Sequence, residues 1–319
     1  MAASQGILLL MQHLTSLEHL HLDHTWATIG SFDGVHRGHQ AIISKLVAGA
    51  HQSGAQAVVV TFFPHPAVVL RGPQGPFFLT TPEERAQLLE ELDVDVVVTL
   101  HFDRQMAALT AEEFMRNISD HLGLRRLFVG YDFALGRGRE GNVDRLRQLG
   151  EQMGYTLEVN ESIELGGEPV SSSRIRGLLT RGAVDEAAQL LGRPYSLTGE
   201  VIHGDGRGRT LGIPTANVSV WQERIIPAVG VYATWASVDG ERLASVTNIG
   251  VRPTFENQPV FARVETHLLD ADQDLYEKKV KLEFIQYLRR EQRFPSIQEL
   301  LDQIHRDIQQ SREVLAHAG

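Results

Sequence analysis

Apolar and polar positions divide the chain into two regimes. Up to about residue 182, short apolar runs alternate with segments of helical period. Trp26–Ile29 predicts a short buried strand, and Ala57-Val-Val-Val-Thr-Phe-Phe a strand covered on both faces, stopped by Pro64-His-Pro. Val94–Leu100, Arg126–Gly130 and Thr156–Val159 predict three more. Helical segments lie between them. Gln40–Ala50 places Ile42, Ile43, Leu46 and Val47 on one face. Pro82–Leu92 follows Thr81 as N-cap, with Glu83 and Glu84 in the first turn. Thr110 caps a helix through Phe114 and Ile118, and Val143–Met153 completes the set. This alternation predicts a parallel α/β sheet, which binds ligands at the carboxyl ends of its strands. Gly30–His39, Pro64–Pro66, Gly130–Gly138 and Ser171–Arg176 all sit just after strands or before helices, positioned to converge on one cleft.

Beyond Arg181-Gly182 the pattern changes. A helix over Val184–Leu191 ends at Gly192, with Pro194 beyond it. Strand-like runs then follow at Gly199–His203, Gly230–Val238, Leu243–Ile249, Val260–Leu268 and Lys279–Phe284. Turn residues separate them, which predicts an antiparallel sheet or small barrel. Ser296 caps a final helix, Gln298–Glu313, with Leu300, Leu301, Ile304 and Ile308 on one face. The predicted organisation is α/β plus β in two domains, 1–182 and 183–319.

A chain of 319 residues suits two domains. The formal charge of −10 argues against a nucleic-acid footprint over the whole molecule. Cysteine is absent, which removes disulfides, thiol catalysis and thiolate-bound zinc. Ile7–Met11 is short for a signal-peptide core and lacks a basic flank, and no run approaches the roughly 20 apolar residues that span a bilayer. The expected location is the cytoplasm, with no membrane partner. His13, His19, His21 and His24 read as solvated residues on strand and turn edges.

Two stretches carry candidate chemistry. In residues 26–40 a strand, a glycine-punctuated turn and a helix start make an anion site, because free N–H groups and the helix dipole favour negative charge there. Gly30, Gly34 and Gly38 permit close backbone approach. His36 and His39, three apart, can face one anion. A nucleoside triphosphate fits; a βα turn with two surface histidines is the plainer reading, and a zinc pair lacks further ligands. In residues 203–217 the loose run Gly204-x-Gly206-x-Gly208-Arg209-Thr210 hints at phosphate cradling without being a Walker A loop. Thr215 and Asn217 in Pro-Thr-Ala-Asn are hard oxygen donors suited to magnesium on nucleotide phosphates, or else side chains stabilising a turn.

Gly-Ser-Phe-Asp-Gly-Val-His-Arg-Gly-His (30–39) resembles the H-x-G-H-type signature of nucleotidylyltransferases. With its flanks it resembles bacterial bifunctional riboflavin kinase/FAD synthetases. Thr61-Phe-Phe-Pro-His-Pro, Val129-Gly-Tyr-Asp-Phe-Ala-Leu-Gly and Val170-Ser-Ser-Ser-Arg-Ile-Arg resemble further motifs of that family. So do Pro214-Thr-Ala-Asn, Thr247-Asn-Ile-Gly-Val-Arg-Pro-Thr-Phe and Val264-Glu-Thr-His-Leu-Leu-Asp. The resemblance runs from about residue 25 to about residue 310.

It implies a Rossmann-like nucleotidylyltransferase domain followed by a riboflavin kinase-like barrel with a terminal helix. It also implies a site at Gly30, Phe32, Asp33, Gly34, His36, Gly38 and His39. Asp132 would lie at the flavin and nucleotide, and Ser172, Ser173, Arg174 and Arg176 on ATP phosphates. Gly204, Gly208 and Arg209 would cradle nucleotide in the second domain. Thr215 and Asn217 would hold magnesium and ATP there, with Glu265 as catalytic base. The implied substrates and products are ATP, riboflavin, FMN and FAD, with magnesium as the metal and no nucleic-acid partner.

The sequence departs from the family pattern at Phe63, Leu135, Ser173, Ala271 and Glu277; the last two bear on the flavin-side loop and flap. Two other readings use the same folds: an enzyme with one domain degenerate, and a flavin-binding sensor without turnover. The intact His36/His39 pair and the Thr215, Asn217 and Glu265 set argue against the first. A base at Glu265, which binding alone does not need, argues against the second.

Overall fold

The computed structural model describes residues 11–72, 75–204, 208, 211–251, 262–271 and 273–318. The chain forms two compact units. The first takes Met1–Gly75 and Thr80–Ser171, the second Pro76–Leu79 and Ser172–Gly319.

The first unit is a six-stranded parallel sheet. Its strands are β1 (Gln12–Leu14), β2 (Thr25–Ile29), β3 (Gln56–Phe63), β4 (Val96–His101), β5 (Leu124–Gly130) and β6 (Thr156–Asn160), in the order β1-β4-β3-β2-β5-β6. The order reverses at β2, which pairs with β3 on one side and β5 on the other. Helices α1 (Arg37–Ser53), α2 (Pro66–Arg71), α3 (Pro82–Glu90), α4 (Arg104–Ala108), α5 (Ala111–Leu122) and α6 (Val143–Met153) connect the strands.

The central strands are buried on both faces, as their unbroken apolar runs require: Val58, Val59 and Val60 are all fully buried. On α1 the buried residues Ile43, Leu46, Val47 and Ala50 follow the i, i+3, i+4, i+7 rule, and Gly54 closes the helix in the left-handed region with φ 71°. Thr81 and Thr110 each form a capping box, with Glu84 and Glu113. β1 was not anticipated from sequence, and neither were the short helices α2 and α4. Three polar-edged residues of β1 carry no periodic signal; they pair at the sheet edge, where His13 hydrogen-bonds Thr99 at 2.9 Å.

After a small hairpin, β7 (Glu164–Leu165) and β8 (Glu168–Pro169), the second unit begins with α7 (Ser172–Leu179) and α8 (Val184–Leu191). It then closes a six-stranded antiparallel barrel. The strands are β9 (Tyr195–Ile202), β10 (Ala216–Val220), β11 (Gly230–Val238), β12 (Glu241–Val251), β13 (Ala262–Leu268) and β14 (Lys279–Arg289), in the order β10-β13-β12-β11-β14-β9.

Helix α9 (Ile297–His317) packs on the barrel through Asp307, Ser311 and Leu315. Residues 76–79 join this unit: the Phe77 and Phe78 N–H groups donate to Glu223 O at 2.7 and 2.9 Å. Inside the barrel Thr234, Ser245, Thr247 and Thr266 are fully buried, and their hydroxyls satisfy one another at 2.7–3.0 Å.

Candidate active sites

The reversal at β2 sets the first site. In open α/β sheets the crevice lies beyond the carboxyl ends of the strands at such a switch point. There the structure holds a cavity of about 720 Å³, within the usual range for small-molecule sites. It is lined by Gly30, Phe32 and His39 after β2, by Phe62, His65 and Pro66 around the end of β3, and by Gly130, Asp132, Leu135 and Gly138 after β5. Phe102, Met106, Leu109, Phe114 and Phe133 give it an apolar flank.

Three of the four segments expected at one cleft thus meet. The fourth, Ser171–Arg176, has Ser171 as the last residue of the first unit, and from Ser172 on it opens α7 in the second. There Arg176 donates through Nε to Phe77 O at 2.6 Å and lies over the Phe77 ring at 3.8 Å. Ser172, Ser173 and Arg174 belong to the same first turn.

The turn before α1 is strained. Phe32 and Val35 hold φ of 46° and 38°, a region L-residues seldom occupy and β-branched ones least. His36 is the N-cap of α1, and its Nδ1 accepts from the His39 N–H at 3.4 Å. An accepting Nδ1 leaves the proton of neutral His36 on Nε2. The His36 and His39 rings stack with centroids 3.6 Å apart, and the Phe32 ring meets His39 edge-on at 5.1 Å. A Cβ on Gly38 would come within 3.2 Å of the His36 ring, and one on Gly30 within 3.0 Å of the Phe32 ring, so both glycines make room for the stack.

His39 is half-buried at the cavity wall, and its Nδ1 has no partner among the described residues. Burial, then His36 and Arg85, hold its pKa well below 6.5. Asp33 is buried and does not line the cavity. Its carboxylate accepts from Thr80 N at 3.1 Å and Thr80 Oγ1 at 3.2 Å, while Gly34 N donates to Thr80 Oγ1 at 3.2 Å. These bonds tie the turn at Asp33 and Gly34 to Thr80. Asp132 is exposed at the rim, where its carbonyl accepts from Arg139 at 3.1 Å.

The second site lies on the outer face of the barrel. Along β13, Val264, Thr266 and Leu268 point inward, while Arg263, Glu265 and His267 point outward. Glu265 pairs directly with Asn217 on β10 and with Asn248 on β12, so three polar side chains form one row. Arg263 Nε donates to Asn217 Oδ1 at 2.8 Å, and its Nη2 reaches Glu265 Oε1 at 2.8 Å. His267 Nδ1 lies 2.7 Å from Pro214 O, which ties the Pro-Thr-Ala-Asn segment to β13.

Thr215 is exposed just ahead of β10. A Cβ on Gly204 would fall 2.0 Å from Asn217 Nδ2, and one on Gly208 would fall 2.4 Å from Ile213 O and 3.1 Å from Thr215 Oγ1. Both glycines therefore press against the metal-ligand candidates. The expectation for Arg209 lies outside the described residues, as do those for Gly206, Thr210 and residues 252–255.

Sequence reasoning missed Arg85, Arg263 and Asn248. Arg85 carried a readable signal: it sits four residues before Leu89 on the buried face of α3. Long charged residues seldom occupy such a stripe without a partner.

An adenylylating α/β unit and a flavokinase-type barrel in one chain define a two-step flavin-nucleotide enzyme. Residues 19–174 match the FAD synthetase family model and residues 191–315 the riboflavin kinase model. Bifunctional riboflavin kinase/FMN adenylyltransferase from Pseudomonas fluorescens is 40% identical over 309 residues, covering 96% of this chain and 98% of that protein. The Escherichia coli K12 protein of the same description is 39% identical, covering 90% and 91%. The Bacillus subtilis protein is 37% identical, covering 94% and 96%. A solved structure described as a macrolide-efflux protein from Streptococcus pneumoniae matches with TM-score 0.86 at 28% identity, covering 95% of this chain and 99% of that one. No helix among the described residues is long and apolar enough to cross a membrane.

The chain belongs to the bifunctional riboflavin kinase/FMN adenylyltransferase family, and both catalytic domains are present.

Proposed function

We propose that the two units divide the two steps between them. The barrel converts riboflavin to FMN. Glu265 accepts the proton of the ribityl 5′-hydroxyl as that oxygen attacks the γ-phosphorus of ATP, and the bond to ADP breaks. The observation that carries this assignment is the direct cross-strand pairing of Asn217 with Glu265. It supports the reading because it brings Asn217, the proposed phosphate-side ligand, beside Glu265, the proposed base.

The donor chemistry there suits a cation, since the Arg263 guanidinium already rests on Asn217 Oδ1 and Glu265 Oε1. Thr215 and Asn217 would hold magnesium, which when bound with ATP neutralises phosphate charge.

The α/β unit converts FMN to FAD. A phosphate oxygen of FMN attacks the α-phosphorus of a second ATP and pyrophosphate leaves, so no protein nucleophile is needed. His36 and His39 donate to phosphate oxygens at the helix start, with Gly30 and Gly38 giving the stacked rings room. Asp132 faces the nucleotide from the rim. The apolar flank of Phe62, Phe102 and Phe133 receives the flavin ring. Holding both phosphates in line supplies the rate, and the histidine donors stabilise charge as it develops. We place both steps in the cytoplasm, where ATP and flavin are at hand.

The test is a time course with purified protein, riboflavin, ATP and magnesium, with the flavins separated. FMN should rise and then give way to FAD. A flat riboflavin trace, or FMN that never proceeds to FAD, contradicts the assignment.

A further inference from the structure

Arg85 is the least expected charge in the first unit. It is 1% exposed, yet it touches none of the cavity and stands behind the strained turn. Its Nη1 donates to Ser31 O at 2.8 Å and its Nη2 to Phe62 O at 3.1 Å. Ser31 lies just past β2 and Phe62 near the end of β3, so one planar fork joins two walls of the cavity. The Asp33 carboxylate, and after it Glu83, favours the charge on Arg85, and Asp33 is itself fixed by Thr80.

Such strain persists only where surrounding bonds over-determine it. On the N-terminal side of Phe32, Ser31 O accepts from both Arg85 Nη1 at 2.8 Å and Thr61 Oγ1 at 3.1 Å, and of the two only Arg85 ties it to Phe62 O as well. On the far side Gln40 Nε2 donates to Val35 O at 2.8 Å.

We infer that Arg85 is a positioning residue for adenylyl transfer: through Ser31 O and Phe62 O it fixes the turn that presents His39 to the cavity. The inference rests on assigning FMN adenylylation to the first unit. The charge has a second effect, because it helps keep His39 neutral. The groups facing His39 are His36 on the turn and Arg85 on α3, with His65, Arg71, Asp132 and Arg139 lining the same cavity.

A lysine retains the charge without the fork, whereas methionine removes both. Arg85→Met should lower kcat for FAD formation on the order of 10²-fold, as a misplaced reactive geometry does, with a smaller effect on KM for ATP. Arg85→Lys should lower kcat less, since it keeps the charge beside Asp33. FMN formation from riboflavin should stay within about twofold in both, because the residues assigned to that step belong to the other unit.

Wild-type kcat in Arg85→Met, a change confined to KM, or an Arg85→Lys variant no better than Arg85→Met overturns the inference. So does loss of the first unit's fold in both variants, read by hydrogen exchange in β2, which would make Arg85 structural only. Wild-type protein that makes no FAD overturns the assignment itself, and the inference with it.

Discussion

Asn217 and Glu265 face each other across β10 and β13, and a single guanidinium, that of Arg263, bonds to both. Cross-strand partners have Cβ atoms about 5 Å apart. One ligand can therefore meet the amide oxygen and the carboxylate together. The guanidinium marks this as a place where positive charge is favoured, as the proposed magnesium ion would supply. The barrel strands hold both residues in register, so the geometry exists before substrate arrives.

Removing the proposed base should separate the two activities. Glu265→Gln keeps the shape and the cross-strand pairing but cannot take a proton. FMN formation should fall by about 10²- to 10⁴-fold, the usual worth of general base catalysis. FAD formation from supplied FMN should be unchanged. Equal damage to both steps would show that the activities are not divided between the units.

Gly204→Ala tests the loop ahead of β10 without touching a reacting group. The new Cβ would lie 2.0 Å from Asn217 Nδ2. That atom ends a flexible side chain, so the fold survives by moving Asn217 away. The expected result is a higher KM for magnesium–ATP in the kinase step, near-wild-type thermal stability and undisturbed adenylylation. An unchanged magnesium titration would show that Asn217 is not a ligand.

The elements were legible where their period was long. Helices Val143–Met153 and Val184–Leu191 and strand Gly230–Val238 coincide with the sequence-based expectation, because each combines apolar spacing with a clear stop. β10 was missed: Ala216–Val220 has one buried residue, Val218, and its place comes from closing the barrel, a non-local cause. The cavity at the β2 switch point was legible from strand–helix alternation. Its clamp was not, since Arg85 acts through carbonyls 54 and 23 residues away. Arg176 was legible as a motif residue, but its bond to Phe77 depends on residues 76–79 joining the barrel, which no local pattern encodes.

Helix α9 is fastened to the barrel by a buried ion pair. Arg289 Nε and Nη2 donate to Asp307 Oδ1 and Oδ2 at 2.9 and 2.7 Å, and Asp307 is 3% exposed. Asp307→Ala leaves the guanidinium without its anion and should cost about 3 kcal/mol. Denaturant titration followed by kinase activity should show an earlier midpoint for FMN formation. A midpoint matching wild type would mean that water or another anion replaces the carboxylate.

The half-buried histidine at the turn makes the first unit acid-sensitive, and the sign is fixed by its pKa. Burial, the stacked His36 and the Arg85 charge hold the His39 pKa well below 6.5 in the folded protein, while the unfolded chain keeps the ordinary value. Between those two values the unfolded chain binds a proton that the folded chain does not. Stability is therefore complete above pH 6.5 and declines as pH falls from 6.5 toward the folded pKa. His39→Gln removes the titration. Wild type should lose stability relative to this variant below pH 6.5, measured as opening free energy from hydrogen exchange in β2. The His13 pKa, also lowered by burial, is common to both proteins and cancels in the difference. Parallel curves for the two proteins would mean that His39 accepts a proton in the folded state as readily as in water, and so that the wall around it does not exclude charge.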